Sequence, residues 1–397
     1  MVNYDLIFLL VFYAILLVIF KIYRNKFEVQ WKIFALYKTS WGIKLMDRIA
    51  KKFPKFLNVI GIIGIWIGFI GMAVTTAFIF YATYKFLFVP NTAVALAPLL
   101  PGVSISEGLP ILSFWHWIIA ILFVAIIHEA SHGIYARLKN VKIKSSGFAF
   151  LGPILAAFVE PDEKQLEKKP IKDQLLVFSA GPFSNIIQAI IIFLFLGFIF
   201  APIVSSMSEI NGIVVGNINE SLPINQSGLR AGHIIQEIDG FKIDNTKILG
   251  NVLENKKPGD TVLVKANETS YNVILSSNPK DKEKAFFGIG FSKYSTQLKN
   301  NSTSFVWLHK VLSWIGMLLF WIFNIALGVG LFNLLPLGPV DGGRMFYAGM
   351  SKFTSKKKAM KILSIISLII LGLILINMWP FIFRLFKFVL SPLAFLL

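Results

Sequence analysis

The sequence contains no cysteine, and this absence excludes several kinds of site at once. Disulfide scaffolds, zinc sites with thiolate ligands, iron–sulfur clusters and thiol nucleophiles all require cysteine. Charged residues are scarce as well, at 15% of 397 residues, whereas soluble domains have about 25%. Because 55% of the residues are hydrophobic, the composition excludes a disordered tail and a free cytosolic enzyme. It indicates a membrane protein.

Acidic residues are few, 21 against 39 Lys and Arg, which gives a formal net charge of +18. The basic residues crowd the ends of apolar segments, as in membrane proteins that face anionic lipid, so we predict no nucleic-acid partner. A bilayer crossing takes about 20 apolar residues. We predict six transmembrane helices, at about 6–20, 56–88, 111–138, 175–204, 305–335 and 362–379. The first is predicted to be a retained anchor, because no basic residue precedes it and no small-residue cleavage site is present.

The distribution of Lys and Arg among the loops predicts the orientation in the membrane. Residues 21–55 hold ten of them against two acids, residues 139–173 hold seven lysines, and residues 89–110 hold none. Placing the basic loops in the cytoplasm puts the N-terminus outside and, by parity, residues 205–304 outside. The stretch 381–390 falls on the predicted outer side or lies in the membrane interface.

From residue 207 to about 291 the chain changes character, because Gly, Asn and Asp interrupt short alternating apolar runs. This pattern predicts a small β-rich domain with one or two helices. Residues 227–235, followed by Asp239-Gly240, resemble a PDZ domain of the bacterial, circularly permuted type. His233 stands where such domains usually have Asp, and we interpret it as a surface loop residue rather than a ligand. A generic extracytoplasmic β-domain is the alternative.

The third predicted span contains the sequence His128-Glu129-Ala-Ser-His132. Histidines at i and i+4 lie on one helical face, so both imidazoles can bind one Zn²⁺. Glu129 between them is placed to take a proton from water activated by the metal. Placing an ionisable residue inside a membrane helix is energetically unfavourable, so we interpret such a residue as functional. A polar contact between helices of a bundle is the alternative.

Two histidines do not complete a catalytic zinc site, and a third protein ligand is needed. His116 lies three turns away on the same helix, about 18 Å by helix rise. His309 begins the fifth predicted span at its outer end, whereas the motif lies near the inner end of its span. Three acids of a basic cytoplasmic loop remain possible ligands: Glu160, Asp162 and Glu163.

Asp341 is the last acidic residue of the chain. Pro336 and Pro339 precede it and should break the fifth helix. Irregular backbone inside a membrane occurs where it is buried in protein or lines a wet cavity. Measured from the basic residues that follow them, His132 and Asp341 lie at a similar depth, about 10–15 Å inside the cytoplasmic face. We therefore predict Asp341 as the third ligand.

Together these residues resemble the site-2 protease family of intramembrane zinc metalloproteases. The resemblance depends on residues 128–132, on Asn333 to Gly343, on Gly181-Pro182-Phe-Ser-Asn185, and on a PDZ domain between the fourth and fifth spans. It covers residues 111–348. Val340 departs from the family, which often has Leu before the aspartate; this apolar change leaves the ligand in place.

The resemblance implies an enzyme that binds one Zn²⁺ per chain and cleaves a peptide bond within a transmembrane segment. The implied partners are single-span membrane proteins that another protease has already trimmed outside. It also implies that the Asn333 amide hydrogen-bonds the substrate backbone. Asn185 either binds substrate in the same way or braces the helices, since an Asn in a span is often an interhelical contact.

Residues 141–161 are predicted to form two strands, 141–151 and 154–160, joined at Gly152-Pro153. A transmembrane helix must unwind before one of its amides can be attacked, and a strand edge can bind the unwound segment by β-augmentation. A plain cytoplasmic hairpin is the alternative.

The sequence thus predicts a polytopic α-helical membrane protein with an inserted extracytoplasmic PDZ-like domain and a cytoplasmic-side, membrane-associated β-hairpin. The predicted parts are the N-terminal spans, the first half of the protease core, the PDZ-like domain, the second half of the core and a C-terminal span, at 1–110, 111–204, 205–300, 301–350 and 351–397. A membrane-anchored PDZ scaffold with a structural or vestigial metal site is the alternative function. A membrane zinc protease with Glu as its third ligand is disfavoured, because no membrane-embedded Glu follows Glu129. A transporter is disfavoured as well, because no repeat of broken helices is evident.

Overall fold

The computed structural model describes residues 4–30, 34–90, 92, 96–103, 108–151, 154–218, 221–279 and 281–390. The predicted hairpin turn at Gly152-Pro153 lies outside these ranges. The chain forms two compact units. One comprises Met1–Leu196 and Gly316–Leu397, and the other comprises Gly197–Ile315.

The helices are α1 Tyr4–Ile22, α2 Ile43–Lys52, α3 Pro54–Phe88, α4 Phe114–Leu138, α5 Glu163–Glu167, α6 Ile171–Phe195, α7 Ala201–Ser206, α8 Thr246–Glu254, α9 Thr303–Asn333, α10 Asp341–Met350 and α11 Lys356–Leu390. The strands are β1 Glu28–Gln30, β2 Phe34–Thr39, β3 Ile143–Leu151, β4 Ile154–Pro161, β5 Ser208–Ile218, β6 Ile234–Ile238, β7 Phe241–Lys242, β8 Thr261–Ala266, β9 Thr269–Ile274, β10 Ser276–Ser277, β11 Ala285–Phe286 and β12 Ile289–Leu298.

Six helical segments of the described chain are long and apolar enough to cross a membrane, as predicted. The fifth, α9, ends at Asn333, and α10 begins at Asp341 after the turn that contains Pro336 and Pro339. The predicted helix break is therefore confirmed. The sixth, α11, continues through Pro380 to Leu390, so residues 381–390 extend this helix and are not a separate segment.

The long helix α3 packs through a stripe of glycines at the small-xxx-small spacing. A Cβ at Gly61 would overlap Tyr135 of α4, and a Cβ at Gly64 would meet Phe183 of α6. Gly68 likewise faces Met345 of α10, and Gly71 faces Leu334 in the turn between α9 and α10. The absence of side chains lets the helix backbones approach closely. The stripe thus fixes α3 against the elements that carry the site.

Strands β1 to β4 form an antiparallel sheet in sequence order. The predicted hairpin corresponds to β3 and β4, whose register pairs Ser146 with Val159. Strands β1 and β2 were not predicted, because residues 21–55 were interpreted only as a basic loop. Thr39 of β2 lies opposite Ser146 of β3, so β2 covers one edge of the hairpin and β4 remains at the edge of the sheet.

The unit Gly197–Ile315 contains a sheet of order β12-β5-β6-β8-β9, with β7 paired to β6. Alternate strand residues such as Val262, Val264 and Ala266 point into its core, and helix α8 contributes Leu249. The predicted β-rich domain is therefore present. The imidazole of His233 is partly exposed and lies against the ring of Tyr271, with centroids 5.7 Å apart.

Candidate active site

His128, His132 and Asp341 come together from two helices. His128 and His132 lie one turn apart on α4, and Asp341 is the first residue of α10. Oδ2 of Asp341 is 3.0 Å from Nε2 of His128 and 3.2 Å from Nε2 of His132. Among the described residues this is the one group of three or more His, Asp or Glu side chains whose ligand atoms all lie within 4.8 Å of each other. We call it the metal group.

The turn before α10 holds Asp341 in place by close backbone packing. A Cβ at Gly342 would overlap the carbonyl oxygens of Leu334 and Leu335, and a Cβ at Gly343 would overlap that of Leu337. Only glycine therefore fits at either position. The first turn of α10 packs directly against the chain that leaves α9, and this contact positions the carboxylate.

The second ring nitrogen of His132 has a protein partner. Its Nδ1–H donates to the carbonyl oxygen of Val177 on α6, at 2.7 Å. A neutral imidazole carries only one N–H, so Nε2 of His132 presents a lone pair to the Asp341 carboxylate. Two electron-rich atoms 3.2 Å apart repel each other unless a cation lies between them.

His128 is oriented by Asn185, which is fully buried on α6. The Asn185 amide lies 3.0 Å from Nδ1 of His128, while its Oδ1 has no partner in the assigned orientation. Amide oxygen and nitrogen are assigned rather than observed. Exchanging them lets His128 Nδ1–H donate to Asn185 Oδ1, and the amide nitrogen then takes the position that has no described partner. Nε2 of His128 then also presents a lone pair, so two imidazoles and a carboxylate offer the N, N, O donor set of a catalytic zinc site.

Helix α6 leaves a space over the metal group at Gly181. A Cβ built at this position would lie 2.6 Å from Nε2 of His128, and it would also overlap Nε2 of His132. Any side chain here would occupy the space toward which both ligand nitrogens point. The donor set and this space both fit a zinc ion.

Glu129 joins the metal group to the sheet. Its Oε2 accepts a hydrogen bond from the backbone N–H of Val159 in β4, at 3.1 Å. Glu129 and Val159 both line a pocket of about 240 Å³ that also contains the metal group. The carboxylate that is predicted to act as the base is therefore held between the ligands and the edge strand.

Glu129 and Val159 also line a second, larger cavity of about 650 Å³, which we call the α2 cavity. Apolar residues of α2, α4 and the sheet form most of its wall: Leu45, Met46, Ile49, Ile126, Ile134, Phe148, Ala157 and Phe158. Helix α2 was not predicted from the sequence. The base therefore lies at the junction of a metal pocket and an apolar cavity.

The other candidate residues lie outside the metal group. Asn333 lines the metal pocket, and its Nδ2 donates to the Val329 carbonyl of its own helix. Glu160 accepts from Ser145 and pairs with Lys38. The remaining four candidates are also not part of the metal group: His116, Asp162, Glu163 and His309.

Three contributions to the site were missed at the level of sequence. The Val177 carbonyl and the Val159 amide are backbone groups, which leave no mark in a pattern of residue types. Arg344 lines the metal pocket, with its guanidinium 5.8 Å from the ring centroid of Phe178. Its position three residues after Asp341 is the only sequence signal that points to it.

Residues 116–377 match Peptidase family M50. A Methanocaldococcus jannaschii protein named Uncharacterized protein MJ0971 is 28% identical over 379 residues, 87% of this chain and 91% of that protein. Putative zinc metalloprotease CA_C1796 of Clostridium acetobutylicum is 25% identical, covering 62% of this chain and 90% of its own length. Regulator of sigma-W protease RasP of Bacillus subtilis is 25% identical, covering 48% of this chain and 53% of its own length.

A solved PDZ domain, from the SdrC-like protein Lin2157 of Listeria innocua, also matches the chain. It is 26% identical and covers 21% of this chain and 97% of its own, with a TM-score of 0.19.

Proposed function

The chain belongs to Peptidase family M50 and is a membrane zinc metalloprotease of the site-2 type, and on this premise we propose that it hydrolyses a peptide bond within the transmembrane segment of single-span membrane proteins. The observation that carries the proposal is the metal group with Glu129 beside it, on a helix long and apolar enough to span a bilayer.

His128, His132 and Asp341 would hold one Zn²⁺ per chain. The bound ion would supply Lewis-acid activation of water and of the scissile carbonyl. Glu129 accepts the proton of the attacking water and delivers it to the leaving amide nitrogen, and general base catalysis of this kind contributes about 10²–10⁴ in rate. The Val159 N–H holds the Glu129 carboxylate in place for both transfers.

Asn185 and the Val177 carbonyl orient the two imidazoles. Because Asn185 is fully buried and its amide lies against His128, we assign it to positioning this ligand rather than to substrate binding. Partners of this kind typically contribute 10–100-fold to metal affinity. Asn333 lines the metal pocket, which supports its assignment as a donor to the substrate backbone.

The edge of β4 is suited to bind the unwound substrate. The N–H of Val159 points away from β3, since it donates to Glu129, and residues alternate along a strand. Ala157 therefore presents its backbone groups to the same side. Unwound backbone in a membrane must satisfy its hydrogen bonds with protein. Pairing with β4 does so and places the substrate chain directly beside Glu129.

The α2 cavity supports a substrate with large apolar side chains. It shares Glu129 and Val159 with the metal pocket, and Met46, Ile49 and Ile134 line it. A segment paired with β4 directs alternate side chains to one face of the sheet. Transmembrane segments supply Leu, Ile, Val and Phe at such positions, and the cavity of about 650 Å³ has room for them.

We also propose the orientation given by the loop charges, with the N-terminus and the inserted domain outside and the metal group near the cytoplasmic face of the cell membrane. The basic residues at 139–173 and after α10 support it. Cysteine accessibility tests it, since the chain has no native cysteine. A cysteine in 139–173 should be labelled only from the cytoplasmic side, and one in 255–257 only from outside.

The experiment that tests the activity is Glu129→Gln. Gln keeps the shape of Glu but accepts no proton, so the purified variant should keep its zinc and lose at least about 10²-fold in turnover. In cells, membrane-bound stubs of the true substrates should accumulate and can be identified by mass spectrometry. Cleavage by the variant near the wild-type rate would contradict the role of Glu129 as the base. Absence of cleavage by the zinc-loaded wild type as well would favour a scaffold with a structural metal site.

A further inference from the structure

A second apolar cavity, which Glu129 does not line, runs along α3. It has a volume of about 880 Å³ and is lined by one face of α3 together with residues of α6, α10 and α11. We call it the α3 groove. Its α3 residues recur at helical spacing: Ile65, Trp66, Phe69, Met72, Ala73, Thr76, Ala77 and Phe80. From Ile65 to Phe80 the helix rises about 22 Å, so the groove is longer than one leaflet of the roughly 30 Å hydrocarbon core.

One end of the α3 groove continues into a pocket of about 410 Å³ that contains two lysines. Lys172 is the second residue of α6, and Lys352 follows the last turn of α10. Ile65 and Trp66 line both cavities, so the two cavities adjoin. Because both lysines lie at the ends of helices, this end of the groove is at the membrane boundary.

The two ammonium groups are available for an anion. Both side chains are exposed, and no described carboxylate pairs with either of them. By contrast, the nearby Lys139 pairs with Asp173 at 3.0 Å. No acidic residue lines either cavity in the described part of the chain. The groove therefore combines a long apolar channel with an unneutralised positive end.

We propose that the α3 groove is a binding site for an anionic membrane phospholipid. One acyl chain lies along α3, and the phosphate lies between Lys172 and Lys352. Trp66 sits where the two cavities join, as aromatic residues do at the level of lipid headgroups. Basic pockets between transmembrane helices bind anionic headgroups by the same electrostatics. The acyl chain also packs on Phe346 and Met350 of α10, the helix that begins with Asp341.

The test uses the full-length protein in phosphatidylcholine nanodiscs, into which phosphatidylglycerol is titrated. Bound lipid is counted by native mass spectrometry after release. The double variant Lys172→Gln/Lys352→Gln should lose about 30-fold in its preference for phosphatidylglycerol. Lys356→Gln/Lys357→Gln is the matched control, because it removes the same charge from exposed lysines that do not line the groove. Equal losses in both variants, or a loss in neither, would overturn the proposal.

A second pair of variants tests the groove itself. Ala73→Trp should fill it and abolish the lipid preference although both lysines remain. Ile70→Trp, on α3 but outside the groove, should leave the preference unchanged. If Ala73→Trp blocks binding of a substrate transmembrane peptide while the lipid preference stays intact, the groove binds protein and the proposal is wrong. None of these readouts depends on proteolytic activity.

Discussion

Gly181→Ala tests whether the space above the two histidines is the metal position. In an ordinary helix this change stabilises the protein by about 0.5–1 kcal/mol, because alanine has the higher helix propensity. At Gly181 the new methyl group would lie 2.6 Å from Nε2 of His128. It would overlap Nε2 of His132 as well. The substitution should therefore displace the two Nε2 atoms or block their access to the metal.

The contacts of Gly181 set a lower limit on the expected loss of zinc affinity. Removing a partner that only orients a ligand costs 10–100-fold in metal affinity. A methyl group placed at both ligand nitrogens should cost at least the upper value, about 100-fold, or about 2.8 kcal/mol. Gly328→Ala is the matched control, since Gly328 lies in α9 and its Cβ would meet nothing within 4 Å.

Zinc content of the purified proteins, determined by mass spectrometry under competition with a chelator, measures the effect. Thermal unfolding and gel filtration show whether each variant is folded. We expect Gly181→Ala to lose its zinc and its activity while Gly328→Ala resembles the wild type. If Gly181→Ala binds zinc as tightly as Gly328→Ala does, the metal does not lie where the two imidazoles point.

Three further predictions concern the ligands and the inserted domain. Asp341→Ala should remove stoichiometric zinc, and unchanged zinc content would exclude Asp341 from the site. Asn185→Leu should weaken zinc binding by 10–100-fold, whereas Gln188→Leu, also buried on α6 but without a described partner, should not. Replacing 208–298 by a short linker should let the enzyme cut an untrimmed substrate, because we expect the domain to exclude bulky ectodomains. Loss of cutting of trimmed substrate by the folded, zinc-loaded deletion would instead show recruitment.

The design of this deletion follows from the structure. The predicted polar region ended near residue 291, but β12 continues to Leu298 and pairs with β5 along its length. Removing only 207–291 would leave seven of the ten residues of β12 without their partner strand. The N–H of Lys299 donates to the carbonyl oxygen of Met207 at 3.0 Å, so the two ends of the domain already meet. A short linker can therefore replace the domain without strain.

The sequence by itself predicted the six spans and the three side chains that the structure brings together as the metal group, and it proposed Glu129 as the base. Long apolar runs reveal membrane helices, and i, i+4 spacing places His128 and His132 on one face whatever the rest of the fold does. Asp341 was predicted as the third ligand because two prolines precede it and because its distance from the following basic residues predicts the same depth as that of His132. These inferences depend on local geometry and on the thickness of the membrane.

Only the tertiary structure decided what surrounds these residues. The Val177 carbonyl reaches His132 across 45 residues of chain, and Asn185 reaches His128 across 57. Thr39 of β2 bonds to the Ser146 carbonyl of β3 across 107 residues, which completes the sheet and leaves β4 as its edge. Backbone groups and strand pairing carry no residue-type signature, and a cavity between elements exists only after they have packed together. The sequence therefore specifies the members of the metal group, whereas long-range packing decides their orientation, the strand edge beside Glu129 and the α2 cavity.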